Sequence, residues 1–138
     1  MLFYVYTDGA SRSNPGKSAS GYELFDKEHR LVAKESIYNG IKTNNQAEYI
    51  AIIEALGRIA RDFGFENELY VYSDSQLMVR QLLGEYKVKE KELKILHSRA
   101  EELIKKFKSV KITNVPRENE HISSVDASLN ELLDTLGG

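Results

Sequence analysis

The sequence of 138 residues contains no cysteine and no tryptophan, and it has only two prolines. Without cysteine the chain cannot form disulfides, thiolate zinc sites or iron–sulfur clusters, and it has no cysteine nucleophile. Its three histidines, at positions 29, 97 and 121, are too dispersed for a histidine-rich metal site. No apolar run approaches the roughly 18 residues of a membrane-spanning helix, and no secretory signal is visible. We therefore expect a cytoplasmic protein without membrane contacts.

A large excess of charge of either sign is also missing, because 19 basic residues face 21 acidic ones and the net charge is −2. This balance argues against a protein that coats nucleic acid by bulk charge. The charge is unevenly distributed, since residues 80–111 contain 10 basic and 5 acidic residues, a pattern typical of a solvated helix face. The length and the composition, with 41% apolar and 29% charged residues, predict one globular domain over residues 1–138.

Hydrophobic periodicity predicts strands at the start of the chain and helices later. Thr43 and Gln46 form a potential capping box before a helix that ends at Gly64, and the Gly- and Ser-rich region 9–21 is typical of a long turn. The predicted strands are 2–7, about 21–27, 30–38, 69–73 and 109–115. The predicted helices are 46–63, about 75–83, about 90–107 and one that begins near Ser123 or Ser124.

The resulting element order is βββαβααβα. Strands joined through helices pair in parallel, whereas the first three strands are close enough in sequence for an antiparallel meander. We therefore predict an α/β fold in which helices flank a mixed five-stranded sheet.

Two short segments of nearly identical sequence each end in an aspartate. YVYTD at 4–8 and YVYSD at 70–74 place Asp8 and Asp74 directly after an aromatic strand. If the two strands are parallel neighbours, both carboxylates lie at the carboxyl edge of the sheet, where open α/β sheets bind ligands. Aspartate also ends strands merely because it favours turns. Two matched acids side by side, however, would repel each other unless a cation joins them.

Two further acids occupy predicted helix starts. Glu48 lies in the first turns of one helix and Asp126 in the first turn of the last one, where the helix dipole alone would stabilise an acid. Together with Asp8 and Asp74 they would form an oxygen-only site, which suits Mg²⁺ or Mn²⁺ rather than zinc. Two such ions about 3.5–4 Å apart can stabilise both the attacking and the leaving oxygen of a phosphodiester displacement.

Several short motifs occur in the order that is typical of one enzyme family. They are DGAS at 8–11, NPG at 14–16, TNNQAE at 43–48, SDSQL at 73–77, GEYKVK at 84–89, VPREN at 115–119 and the final Asp126. In this order the motifs resemble type 1 ribonuclease H over almost the whole chain. The resemblance implies a ribonuclease H-like fold and cleavage of the RNA strand of RNA–DNA hybrids, which leaves 3′-hydroxyl and 5′-phosphate ends. It also implies two Mg²⁺ ions, which Mn²⁺ can replace, no organic cofactor, and a monomer.

The resemblance also implies roles for individual residues. The metal-binding catalytic acids would be Asp8, Glu48, Asp74 and Asp126. The substrate contacts would be Asn14, Thr43, Asn44, Asn45 and Gln76. Their short polar groups would recognise 2′-hydroxyls and a DNA phosphate without reading the base sequence. Local roles compete with this interpretation, because Asn14 could serve only a turn, and Asn44 and Asn45 only the helix start. The basic stretch from Lys87 to Lys94 could contact backbone phosphates.

The chain departs from the common family pattern at two places. It passes from GEYKV at 84–88 directly into a helix, so it lacks the basic, tryptophan-bearing protrusion of many bacterial members. Many members place a histidine on a loop before the last acid, and here either Arg117 or His121 could assist catalysis. The fold leaves two alternative functions open. One is a related nuclease that acts on another substrate, such as double-stranded RNA or a DNA 3′ end, and the other is a non-catalytic hybrid-binding module.

Overall fold

The computed structural model describes residues 1–137 and confirms the predicted α/β architecture. Its elements are β1 (Leu2–Ser11), β2 (Gly16–Phe25), β3 (Leu31–Lys42), α1 (Asn44–Phe63), β4 (Glu68–Ser73), α2 (Gln76–Leu82), α3 (Lys91–Lys106), β5 (Ser109–Asn114) and α4 (Glu120–Thr135). The strands form one sheet in the order β3-β2-β1-β4-β5. The pairs β1–β2 and β2–β3 are antiparallel, whereas β1–β4 and β4–β5 are parallel. Within residues 1–137, none of the helices has the length and apolar character needed to cross a membrane.

Hydrophobic side chains cover both faces of the sheet. Because side chains alternate along β1, Val5 points to one face and Tyr6 to the other. The Val5 face packs against α1, where Ile52 and Leu56 are fully buried, and α2 and α3 add to the same core. The Tyr6 face packs against α4 through Ile122, Val125, Leu129 and Leu133. Helices α1 and α4 therefore lie on opposite faces of β1, and each can bring an acid to the end of this strand.

The helix α1 has the start and the end that the sequence predicts. The hydroxyl of Thr43 accepts a hydrogen bond from the Gln46 N–H, and Gln46 Oε1 accepts one from the Thr43 N–H, which completes the capping box. At the other end Gly64 adopts φ +84°, a left-handed conformation that glycine reaches without strain. Because the capping box sets where α1 starts, it also sets the position of Glu48 in the second turn.

The prediction of a long turn over residues 9–21 is wrong. β1 continues to Ser11, β2 begins at Gly16, and the two strands pair as far as Ser11 with Ser18. The small residues of this region have a local preference for turns, but sheet pairing overrides it. Two glycines of this region lie against helices: a Cβ atom on Gly9 would meet Ala47 of α1, and one on Gly21 would meet Leu129 of α4.

The predicted start of the last helix near Ser123 or Ser124 is also wrong. The helix α4 begins at Glu120, because Asn119 is its N-cap: the Asn119 Oδ1 accepts hydrogen bonds from the backbone N–H groups of His121 and Ile122. Asp126 therefore lies in the second turn of α4 rather than the first.

Candidate active site

Two aspartates lie side by side on neighbouring parallel strands: Asp8 within β1, just beyond its pairing with β4, and Asp74 directly after β4. β1 and β4 are adjacent and pair Tyr6 with Tyr72, so the register places Asp8 beside Asp74 two residues further on. The rings of Tyr6 and Tyr72 stack with centroids 4.9 Å apart, which shows that these residues share one face of the sheet. One oxygen from each of Asp8, Asp74 and Glu48 lies within 4.8 Å of the others.

Glu48 reaches this point because α1 approaches β1 very closely. A Cβ atom added to Gly9 would lie 2.5 Å from the Glu48 backbone nitrogen, and it would be closer still to the Ala47 carbonyl carbon. No side chain larger than that of glycine fits here without displacing the helix. Ser20 on β2 adds to the contact, since its hydroxyl donates a 2.5 Å hydrogen bond to the Ala47 carbonyl oxygen. The start of α1 is thereby fixed against the end of β1.

The fourth acid, Asp126, comes from α4 on the opposite face of the sheet. Its carboxyl lies within hydrogen-bonding reach of the Asp8 carboxyl, and it lines the same cleft as the other three acids. Asn130, one helical turn further along α4, donates a hydrogen bond from Nδ2 to Asp126 Oδ2 at 3.1 Å. The structure thus brings together one acid each from β1, α1, the loop after β4, and α4.

Burial and mutual repulsion favour the protonated forms of these acids. The pKa of Asp8 is raised to about 8, first by burial and then by the negative charges of Asp74 and Asp126. Burial, followed by the charge of Asp8, also raises the pKa of Glu48 well above its ordinary value. Burial raises the pKa of Asp74 as well, although the neighbouring positive charge of Arg117 opposes this shift. A cation bound among the acids would relieve the repulsion.

The donor set fits a hard divalent cation. All four side chains offer carboxylate oxygens, and Glu48 Oε1 is buried with no hydrogen-bond partner among the described residues. A buried polar atom without a partner costs about 1–3 kcal/mol, and a bound cation would supply that partner. Mg²⁺ and Mn²⁺ prefer oxygen ligands, whereas structural zinc sites use nitrogen and sulfur.

The raised pKa of Asp8 leads to a prediction for the stability of the metal-free protein. The ordinary pKa of this carboxyl is 3.8, whereas in the fold it is about 8. Between these values the folded chain binds more protons than the unfolded chain, so the stability contributed by this proton is complete below about pH 4 and declines as the pH rises to about 8. We expect melting temperatures in EDTA to fall over this interval, and to fall less in Asp8→Asn. An equal pH dependence in wild type and variant would contradict the raised pKa.

The four acids line an open cleft of about 400 Å³. Arg117 also lines this cleft, where its charge acts on Asp74. His121 lies elsewhere, because its ring packs on Tyr6 and Phe25 at centroid distances of 4.4 and 4.7 Å. Of the two residues that the sequence left open as catalytic assistants, Arg117 is therefore the one that lies beside the acids.

The predicted substrate residues lie around the starts of α1 and α2. Asn44 lines the cleft; its Oδ1 accepts a backbone N–H of β1 at 2.9 Å, and its own N–H donates to Asn14 Oδ1 at 3.0 Å. Thr43 is the N-cap of α1. Asn45 is half-buried beside them, whereas Gln76 is exposed at the first position of α2. The local roles of Asn14, Thr43 and Asn44 are therefore present, and they hold Asn44 at the cleft.

Two residues that line the cleft, Arg12 and Asn130, were not predicted from the sequence. The available signal for Asn130 is its spacing, because it follows Asp126 by four residues and so shares its helix face. Arg12 gives no such signal, since its contact with Asn130 joins residues 118 positions apart.

Known proteins of similar sequence share this fold. The family described as "Reverse transcriptase-like" matches residues 6–127. Over 95% of its length the chain is 42% identical to ribonuclease HI of Halobacterium salinarum. The crystal structure of RNase H1 from the same archaeon superimposes with a TM-score of 0.89 at 40% identity, covering 98% of this chain and 99% of that one. The chain belongs to the type 1 ribonuclease H family.

Two further relatives show, respectively, a bound nucleic acid and a longer chain. LC11-RNase H1, solved in complex with an RNA/DNA hybrid, has a TM-score of 0.89 at 33% identity and 99% coverage of both chains. A bifunctional protein of Mycobacterium tuberculosis is 33% identical over 97% of this chain. The present chain spans 64% of the Halobacterium ribonuclease HI and 36% of the mycobacterial protein.

Proposed function

We propose that the chain is an endoribonuclease that hydrolyses the RNA strand of RNA–DNA hybrids and leaves 3′-hydroxyl and 5′-phosphate ends. The observation that carries this proposal is that carboxylates from four separate parts of the fold line one open cleft, three of them with oxygens within 4.8 Å of one another. Membership of the ribonuclease H family supports the reaction class. The hybrid bound to LC11-RNase H1 supports the substrate class.

The four acids would hold two Mg²⁺ ions, for which Mn²⁺ would substitute, and the proposal needs no organic cofactor. The residues that would hold the ions are Asp8, Glu48, Asp74 and Asp126. When bound, the ions supply electrostatic stabilisation of the charge that develops on the attacking and leaving oxygens. The acids must be ionised to bind cations, and the pKa of Asp8 is raised to about 8 by burial. Cation binding therefore releases protons and is favoured at higher pH.

We propose that Arg117, and not His121, assists the four acids in catalysis. A guanidinium offers five N–H donors and no acceptor, so Arg117 acts as a donor and not as a base. It supplies a positive charge that partly offsets the rise in the pKa of Asp74 caused by burial, and it would attract a phosphate of the RNA strand. His121 would first have to leave its packing on Tyr6 and Phe25 before it could move a proton in the cleft.

Short polar side chains beside the cleft would recognise the hybrid. The proposed contacts are Asn14, Thr43, Asn44, Asn45 and Gln76. The oxygen of the Asn44 amide is already held by β1, so its nitrogen end is the one available to a 2′-hydroxyl, the group that distinguishes RNA from DNA. The lysines between Lys87 and Lys94 are exposed and would contact backbone phosphates, which predicts a moderate dependence of affinity on salt.

One assay separates this proposal from its alternatives. Equal amounts of RNA–DNA hybrid, double-stranded RNA and single-stranded DNA are incubated with the protein and either Mg²⁺ or Mn²⁺. We expect cleavage of the hybrid RNA strand, its loss in EDTA, and no detectable cleavage of DNA. The last expectation follows because a site that hydrogen-bonds a substrate hydroxyl rejects an analogue without it by roughly 10⁴-fold.

Each alternative has its own outcome in this assay. Faster cleavage of double-stranded RNA than of hybrid would favour a related nuclease with another substrate. Hybrid binding without products in either metal would favour a binding module without catalysis. We also propose that residues 1–138 act as a single-domain monomer in the cytoplasm, and sedimentation of the free protein and of its hybrid complex would check the monomer.

A further inference from the structure

The fourth acid of the cleft is held by an amide of its own helix. Asn130 Nδ2 donates hydrogen bonds of 3.1 Å both to the carbonyl oxygen and to Oδ2 of Asp126. The two residues lie four positions apart on α4 and therefore share one helix face. Because one oxygen of the Asp126 carboxylate is held, the direction in which the other oxygen points is set as well.

The guanidinium of Arg12, which lies between β1 and β2, fixes the orientation of the Asn130 amide. Arg12 Nη2 donates to the Asn130 carbonyl oxygen at 3.0 Å and to Asn130 Oδ1 at 3.4 Å. A guanidinium can only donate, so it selects the oxygen end of the amide, and the nitrogen end must then face Asp126. The same Arg12 nitrogen lies 2.8 Å from the Asp134 carboxylate. Arg12 is therefore bound to α4 at two successive turns.

Arg12 belongs to the turn that joins β1 to β2, four residues after Asp8. Its backbone N–H donates to the Lys17 carbonyl oxygen at 2.9 Å, which closes the turn. Lys17 Nζ in turn donates to the Leu136 carbonyl oxygen at 3.4 Å, at the end of α4 where the helix dipole favours cations. One hairpin thus connects the strand that carries Asp8 with the helix that carries Asp126.

We propose that Asn130, oriented by Arg12, is a positioning residue that directs the Asp126 carboxylate toward the other acids for metal binding. The inference rests on the proposed function, because the direction matters only if Asp126 and Asp8 bind a cation together. Groups that hydrogen-bond a metal-binding side chain orient it, and their loss typically lowers metal affinity or activity by 10- to 100-fold. Asn130 and Arg12 act through Asp126 and need no contact with the substrate.

The test compares the metal requirement of three α4 variants. Asn130→Ala removes both bonds to Asp126. Asn130→Asp keeps the size and the acceptor for Arg12, but it loses the donors and places a second negative charge beside Asp126. The control, Ser128→Ala, removes a bond to the Ser124 carbonyl oxygen in the same helix. We expect the Mg²⁺ concentration for half-maximal hybrid cleavage to rise at least about 10-fold in Asn130→Ala and further in Asn130→Asp, and to stay unchanged in the control.

Metal binding without substrate gives a readout that is independent of catalysis. Calorimetric titration with Mn²⁺ should show the same loss of affinity in the Asn130 variants, and the kcat of Asn130→Ala should recover at saturating metal. Arg12→Gln should weaken Mn²⁺ binding in the same way. The double variant of Arg12→Gln and Asn130→Ala should be no worse than Asn130→Ala alone, because both changes interrupt one chain of bonds.

The possible failures are distinguishable. A wild-type protein that cleaves no hybrid would refute the proposed function. A wild-type protein that cleaves, with Asn130 variants that bind Mn²⁺ like Ser128→Ala, would overturn the positioning role alone. A higher KM for the hybrid in Arg12→Gln with unchanged Mn²⁺ affinity would assign Arg12 to the substrate and overturn the chain of bonds. If melting in EDTA shows that Asn130→Ala is unfolded, Asn130→Asp and Arg12→Gln decide the outcome.

Discussion

Replacing Asp8 with asparagine should abolish hybrid cleavage in a protein that remains folded and still binds the hybrid. Asp8 is the central acid, with oxygens of Glu48 and Asp74 within 4.8 Å and the Asp126 carboxyl in hydrogen-bonding reach. Asparagine keeps the shape but removes the charge, so the cluster binds cations less tightly. We expect a rate at least roughly 10²–10³-fold lower, the usual cost of losing one group that stabilises transition-state charge. Single-turnover cleavage of an end-labelled hybrid with Mg²⁺ measures this rate.

The stability of the same variant separates loss of chemistry from loss of fold. Since the pKa of Asp8 is raised to about 8, removal of its ionisable group should stabilise the metal-free protein near this pH. Each kcal/mol gained raises the melting temperature by about 4 °C in a domain of this size. Asp62→Asn is the matched control, because it makes the same chemical change at a surface ion pair with Arg58 on α1. Cleavage by Asp8→Asn at the Asp62→Asn rate would remove Asp8 from the mechanism.

Gly9→Ala should cost nearly as much activity, although it changes no charged or polar side chain. The added methyl group would lie 2.5 Å from the Glu48 nitrogen and closer to the Ala47 carbonyl carbon, so the start of α1 must move. Displacement of a reacting group by about 1 Å can cost 10²-fold in rate, and overpacking of this kind costs about 1–3 kcal/mol of stability. Cleavage rates and urea unfolding of the purified variant measure the two effects.

The control for Gly9→Ala lies on the same helix. A Cβ atom on Gly57 would meet nothing within 4 Å, so Gly57→Ala should raise the stability by about 0.5–1 kcal/mol through helix propensity and leave cleavage unchanged. If Gly9→Ala cleaves hybrid at the wild-type rate, the close approach of α1 to β1 is not what positions Glu48.

The order of the strands and helices could be predicted because periodicity and caps are local signals. The capping box of Thr43 and Gln46 and the stop at Gly64 depend on residues a few positions apart, and both are present in the structure. The turn predicted over 9–21 failed because small residues there face distant helices, as where Gly9 on β1 lies directly against Ala47 of α1. Local preference carries no information about that contact.

That the four acids share one cleft could be predicted, because Asp8 and Asp74 end two matched aromatic segments and all four fall on positions of the family pattern. The turn of α4 in which Asp126 lies could not be predicted, because three residues before it are of types that commonly cap a helix N-terminus. Asn119 caps it, while Ser123 donates to the Arg117 carbonyl oxygen at 3.3 Å and Ser124 to the buried Glu23 carboxylate at 2.6 Å. The contact between Arg12 and Asn130 could not be predicted either, because the two residues are far apart in sequence and meet only in the folded protein.

The four acids occupy positions 8, 48, 74 and 126, and no helix or strand contributes two of them. A refolding intermediate with all its helices formed would still have no cluster, because the acids meet only after β1 has paired with β4 and both α1 and α4 have docked. Contacts between such distant residues form late and slowly. Circular dichroism would therefore follow the early appearance of the helices, whereas the first product released in a refolding mixture would report when the long-range contacts are complete.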